Sequence, residues 1–260
     1  MRSRSAYYAM IIVDIEQFGR RKNADQHWLR RQMYDVLESA AERAGIPWSQ
    51  CHLADRGDGV IILIPASEPV SKEEITEGFV RELNTELGTY AGRSREAVAM
   101  RMRVALHAGD VVRDDQGWVG AELNTACRLV DLPALRDALR QAPHARLALI
   151  VSDMWFKTVV SHDPGAVDHR AYTRVPINIK ELDDWAWIHL PGHPTPDVPP
   201  PPNTGPTDVP AQDTERIEAS AMDGAMTLTF SGPVNVGNDF VGRDQINNYP
   251  GVETSRRDPQ

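Results

Sequence analysis

The 260-residue chain carries 28 basic and 37 acidic side chains, a formal charge of −9, with two cysteines, Cys51 and Cys127. An acidic chain with no block of Lys or Arg is unsuited to nucleic acid or an anionic membrane surface, and no apolar run approaches the about 20 residues that span a bilayer. Two cysteines make neither a disulfide framework nor a zinc knuckle, so the expectation is a cytoplasmic protein.

The opening MRSRSAYYAMIIVDIE has a basic lead and a short apolar stretch, but Asp14 and Glu16 cut it off and no small-residue cleavage site follows. Tyr7 to Val13 therefore reads as a buried first strand. Trp28, Met33, Val36, Leu37, Ala40, Ala41 and Ala44 recur at helical spacing until Gly45 and Pro47 stop the helix. His52–Ala54 and Val60–Ile64 flank Asp58-Gly59, a dipeptide that tolerates the positive φ of a tight hairpin turn. A helix over Lys72–Tyr90 opens with Ser71 as cap and Glu74 three residues on. Met100–His107 and Asp110–Val112 read as strands joined at Gly109, and Asn124–Leu139 as helical. Leu147–Val151 is a short buried strand, with two more near Tyr172–Ile179 and Trp185–Leu190. The first part reads βαββαβ, an α+β, ferredoxin-like pattern with helices expected on one face of the sheet.

Composition changes near residue 191. Nine of the 19 prolines fall between Pro191 and Pro210, a run that forms neither helix nor sheet and favours an extended spacer. The expected organisation is a domain over 1–191, a Pro-rich linker over 192–216, and a mostly unstructured or β-prone tail over 217–260.

Two carboxylates are placed for chemistry. Asp14 ends the first strand and Asp58 lies in the hairpin turn, and in a βαββ unit those elements are sheet neighbours. Hard oxygen donors so arranged suit Mg²⁺, which completes its shell with water and substrate phosphates. Asp58 is equally a good turn residue, and Asp14 equally a helix cap.

The blocks IIVDIEQFGRR, DRGDGVIILIP, RVALHAGDVV…GWVGAELNTACRLVD and VPINIKELDDWAWIHLPG stand in this order between Tyr7 and Pro191. Together they resemble the catalytic domain of the class III nucleotidyl cyclases, which close a nucleoside triphosphate into a 3′,5′-cyclic monophosphate and release pyrophosphate. The resemblance implies two Mg²⁺ or Mn²⁺ ions held by Asp14, Asp58 and the backbone carbonyl of Ile15. It implies that Asn124 and Arg128, at i and i+4 on one helix face, position the ribose and stabilise the transition state. Lys180 takes the place of a lysine that holds the terminal phosphates. Read alone, Asn124 is equally a capping residue, Arg128 a solvated charge, and Lys180 a surface partner of Glu181. Each family site lies between two domains, so the resemblance also implies a homodimer.

The pattern breaks at the two positions where purine-selecting members read the base. These are Ala54 and Gly117 here, and neither supplies a hydrogen-bonding side chain. Asp55, Arg56, Asp115 and Gln116 are the nearest substitutes. A pyrimidine nucleotide, base reading through backbone groups, and nucleotide binding without catalysis all remain open. His107 reads as a half-buried sheet residue, Trp118, Trp185 and Trp187 as core or dimer contacts, and Gly19–Lys22 as a basic turn that could meet phosphates.

In the tail, PVNVGNDFVGRDQINNY sets short β-prone pieces between Gly and Asn with little charge. It resembles bacterial amyloid signalling motifs, with Val234-Asn235-Val236-Gly237 as the apolar–amide–apolar–glycine unit. The resemblance implies that a segment over 232–251 recruits the domain to a partner with a matching motif, in signalling or antiphage defence. The alternatives are a disordered tail or a strand pair packed on the domain. A further alternative makes the whole chain an adaptor that assembles through its tail, with a catalytically weak or inactive cyclase-like domain.

Overall fold

The computed structural model describes residues 5–162, 168–179 and 182–196; Lys180, the linker from residue 197 and the whole tail, including 232–251, lie outside them. The order is β1 (Ser5–Ile15), α1 (Asn23–Arg43), β2 (His52–Asp55), β3 (Gly59–Pro65), α2 (Val80–Ala91), β4 (Met102–Arg113), β5 (Trp118–Val119), α3 (Ala121–Val130), α4 (Pro133–Gln141), β6 (Leu147–Ser152), α5 (Asp153–Trp155), β7 (Thr173–Ile179) and β8 (Leu182–His189). The strands form one mixed sheet, β2-β3-β1-β4-β6-β8-β7, with β5 paired to β4. Among the described strands, only β4 and β6 pair in parallel. The mixed α+β architecture agrees with the sequence pattern. No described helix is long and apolar enough to cross a membrane.

β1 is central because it is apolar on both faces: α1 and α2, the helices of the βαββαβ part, cover one face as expected, and α3 and α4, which follow that part, cover the other. Ile11, Val13 and Ile15 point toward Leu29, Met33 and Leu37 of α1 and Leu83 and Leu87 of α2. Met10 and Ile12 point the other way, toward Leu123, Ala126 and Leu129 of α3 and Leu135 and Leu139 of α4. A strand whose successive side chains are all apolar needs a cover on each side.

The predicted start of the second helix holds: Ser71 Oγ accepts from the Glu74 N–H at 3.0 Å, and Glu74 accepts in return from the Ser71 N–H at 2.7 Å. The residues Glu74–Phe79 are wound as π-helix before α2 continues. The segment 124–139 is two helices. Pro133 opens α4, and Leu132 before it is extended, as a residue preceding proline tends to be. β4 runs unbroken through Gly109. The glycine is needed there because α3 crosses closely, and a Cβ would lie 2.3 Å from Glu122 Cγ.

The β2–β3 hairpin also differs from expectation. Its positive φ, 85°, belongs to Gly57, and Gly59 already pairs with Asp14 of β1. Gly59 is required by proximity, since a Cβ there would stand 2.0 Å from the Val13 carbonyl oxygen. Gly59→Ala must push β1 and β3 apart next to Asp14. It is expected to lower stability by about 3 kcal/mol, read as a reduced urea midpoint at unchanged m-value.

Candidate active site

The site grows from the C-terminal end of β1. Asp14 sits between Gly59 of β3 and Arg103 of β4, and its residue is 8 % exposed. The next residue, Ile15, donates its N–H to the Asp58 carbonyl at 2.9 Å, fixing the hairpin turn against the strand end. The structure thus brings Asp14, Ile15 and Asp58 together. Asp58 is exposed, and its carboxylate makes no hydrogen bond or ion pair among the described residues. The turn is closed instead by Arg56 N–H to the Gly59 carbonyl at 2.9 Å, so Asp58 is not spent on capping.

Arg103 was not singled out by the sequence reading. Its Nε donates to Asp14 Oδ2 at 2.9 Å, a terminal guanidinium nitrogen reaches the same oxygen, and Arg103 is itself 8 % exposed. The signal was present: a charge inside a strand that is otherwise buried needs an opposite charge beside it. Burial, opposed by the Arg103 charge and hydrogen bond and reinforced by the negative charges of Asp58 and Asp131, raises the Asp14 pKa to about 6. Asp14 is therefore mostly ionised at neutral pH and paired with Arg103; it caps no helix, because it lies within β1 and Lys22 is the residue that precedes α1.

The loop after the pair is tightly tied. Gln17 takes a left-handed φ of 57°, and Arg21 of the basic turn donates to the carbonyls of Ala99 at 2.6 Å and Glu16 at 3.4 Å. Within that turn, Arg20 and Lys22 stay exposed.

Asn124 and Arg128 lie one turn apart on α3, which covers the same sheet face that carries Asp14. Asn124 is exposed and Arg128 half-buried. Asn124 is not a cap, because α3 begins at Ala121 and the Asn124 N–H already bonds the Gly120 carbonyl at 3.1 Å.

Two of the four substitutes for base reading are committed elsewhere. Asp55 accepts from Arg30 at 2.6 Å, from the Tyr34 hydroxyl at 2.6 Å and from the Gly57 N–H at 2.8 Å. Arg56 pairs with Asp131 at 3.4 Å. Gly117 has φ 141° and donates its N–H to Asp114 Oδ1 at 2.9 Å, so it serves the β4–β5 turn. Asp115 and Gln116 remain exposed.

His107 is structural. Its Nδ1 lies 2.8 Å from Ser152 Oγ and its Nε2 2.6 Å from Glu122 Oε2, and burial keeps its pKa below the usual value although Glu122 opposes this. A neutral ring donating from Nε2–H satisfies both contacts. Trp187 stacks on Phe156 at 3.6 Å and donates to Asp153 at 3.1 Å, a core role. Trp185 is exposed, with the Arg174 guanidinium 3.8 Å over its ring.

Two carboxylates and a carbonyl are too few to encage an ion, and no group of three or more His, Cys, Asp or Glu side chains placed for a metal occurs among the described residues. The set fits a Mg²⁺-type ion that takes its remaining oxygens from phosphates and water. A cavity of about 490 Å³ between α1 and α2, lined by Trp28, Asp35, Glu86, Tyr90 and Arg93, contains none of these residues.

No family model matches the sequence, and no curated protein matches it. Among solved structures, the fold is similar to the guanylyl cyclase Cya2, with TM-score 0.52 at 12 % identity, covering 76 % of this chain and 100 % of that one. It is also similar to an adenylate/guanylate cyclase/hydrolase from Silicibacter pomeroyi, with TM-score 0.51 at 16 % identity, covering 73 % and 99 %. The chain has the fold of a nucleotidyl cyclase catalytic domain.

Proposed function

We propose that the chain is a nucleotidyl cyclase, acting as a homodimer whose sites each take Asp14, Ile15 and Asp58 from one subunit and Asn124 and Arg128 from the other. What carries this reading is the meeting of two carboxylates of different character at one strand end. Asp14 is buried and kept ionised by Arg103, while Asp58 is exposed and unspent.

Two divalent ions, held by both carboxylates and the Ile15 carbonyl, would supply Lewis acidity that makes the 3′-hydroxyl a nucleophile near neutral pH and neutralises phosphate charge. The 3′-oxygen attacks the α-phosphorus in line, the α–β bridging bond breaks, pyrophosphate leaves, and the hydroxyl proton passes to solvent. Asn124 holds the ribose, since an amide can donate and accept at once. Arg128 meets the negative charge that grows at the α-phosphoryl group, so its contribution falls on rate more than on binding. Lys180 would reach the terminal phosphates.

The test is incubation of the purified protein with each of the four ribonucleoside triphosphates and Mn²⁺, followed by mass detection. The wild type is expected to yield a cyclic 3′,5′ product from at least one triphosphate, and Asp58→Ala none. A second reading, a nucleotide-binding or dimerising adaptor, is favoured by the missing side chains at Ala54 and Gly117. Absence of product from every triphosphate would leave that reading in place. In either case the tail recruits by templated assembly. A peptide over 232–251 is expected to form thioflavin-positive fibrils, and one that stays monomeric at high concentration removes this role.

A further inference from the structure

We propose that the nucleotide's base is held by an aromatic wall of Tyr8, His52 and Trp118, with His52 as the group that reads the base edge. The inference rests on the domain binding a nucleoside triphosphate, as argued above. The three side chains come from β1, β2 and β5 and are all half-buried. Trp118 meets Tyr8 edge-on at 5.3 Å between ring centroids and His52 at 5.1 Å, and Tyr8 and His52 stand 6.0 Å apart.

Register puts this wall on the face that carries Asp14. Tyr8 and Asp14 are six residues apart on one strand and so point the same way. His52 is opposite Leu63, and Leu63 is opposite Met10, in a row on that same face. Ala54 follows His52 by two residues on that face, and Gly117 immediately precedes Trp118. The wall therefore borders both positions that lack a reading side chain.

Two features point to a ligand there. The ring nitrogens of the half-buried His52 make no hydrogen bond among the described residues, although imidazole carries one donor and one acceptor to place. The exposed Arg113 guanidinium, a flat cation, lies 5.3 Å over the Trp118 ring, so that face already takes a planar group, whose place a stacked base would assume. A base stacked on that face would bring a donor–acceptor edge to His52. Stacking gains affinity for any base, and the imidazole adds selectivity.

The experiment is calorimetry on the full chain with Mn²⁺. The ligands are the four 3′-deoxynucleoside triphosphates, which lack the attacking hydroxyl, and inorganic tripolyphosphate, which lacks the base. Trp118→Ala and His52→Ala are each expected to weaken the best-bound nucleotide about tenfold or more while leaving tripolyphosphate unchanged. Trp118→Phe, which keeps a ring, and His52→Gln, which keeps a donor and acceptor, are expected to recover most of the loss. Unchanged nucleotide affinity in both alanine variants overturns the proposal, as does equal loss of both ligands. If the wild type makes cyclic product while those variants bind normally, only the wall is wrong. If the wild type binds no nucleotide, the wall and the enzyme fall together.

Discussion

Co-expressed as mixed dimers, Asp58→Ala and Arg128→Ala are expected to regain about a quarter of wild-type turnover, although each alone is inactive. The reasoning is geometric. On the proposed mechanism, loss of Arg128 removes the cation that meets transition-state charge, with an expected cost of about 100- to 1000-fold in kcat. On the same mechanism, loss of Asp58 removes one of the two carboxylates proposed to hold the metal ions. In a two-fold symmetric dimer with shared sites, a mixed pair concentrates both lesions in one site and leaves the other intact. Random pairing makes about half the dimers mixed, each with one of two sites working, hence about a quarter. The double variant gives the converse check. Paired with wild type, it spoils both shared sites, so about a quarter of the activity survives, whereas sites within single chains would keep about half. Separately tagged chains purified through both tags establish that mixed dimers are present. If those dimers stay inactive, the shared site is excluded.

Much of this site was legible because its parts are short-range. The Asp14 strand, the Asp58 hairpin and the i, i+4 pair Asn124 and Arg128 each need only local periodicity to place, and register then joins β1 to β3 with Asp14 beside Gly59. What escaped was set by contacts between distant segments. The reason for Gly59 is the Val13 carbonyl, and the reason for Gly109 is the Glu122 side chain. Neither is visible in a turn dipeptide or a strand pattern. The cover of the second sheet face comes from α3 and α4, which lie beyond the βαββαβ pattern and are placed by tertiary packing on Met10 and Ile12. Arg103 is not legible from local pattern, because its partner Asp14 lies 89 positions earlier in the chain. The commitment of Asp55 to Arg30 and Tyr34 is of the same kind.

Arg103→Ala is expected to be among the most destabilising single changes in the domain. The wild-type pair is nearly excluded from water, with both residues 8 % exposed. A buried ion pair adds little over an apolar pair, but removing one member leaves an uncompensated charge, at a cost of about 3–5 kcal/mol. For a domain of this size that corresponds to a fall in Tm of roughly 10 °C. The loss must depend on pH, and its sign follows from Asp14. The folded-state pKa is about 6, raised above the ordinary 3.8, so between those values the folded protein binds the proton more tightly than the unfolded chain. This group therefore makes the wild type less stable as pH rises from about 4 to 6. Without Arg103 the carboxyl pKa rises further, and the variant continues to lose stability above pH 6, where the wild type levels off. At pH 5 Asp14 is mostly protonated in both proteins, and little charge is left to strand. The Tm difference between wild type and Arg103→Ala should thus be small at pH 5 and large at pH 7.5, read by calorimetric melting. Arg103→Lys, which keeps a cation but not the two-pronged donor, should fall between them. A difference that does not change with pH would mean that Arg103 acts by packing alone. Asp14 would then need some other source for its charge before any metal ion arrives.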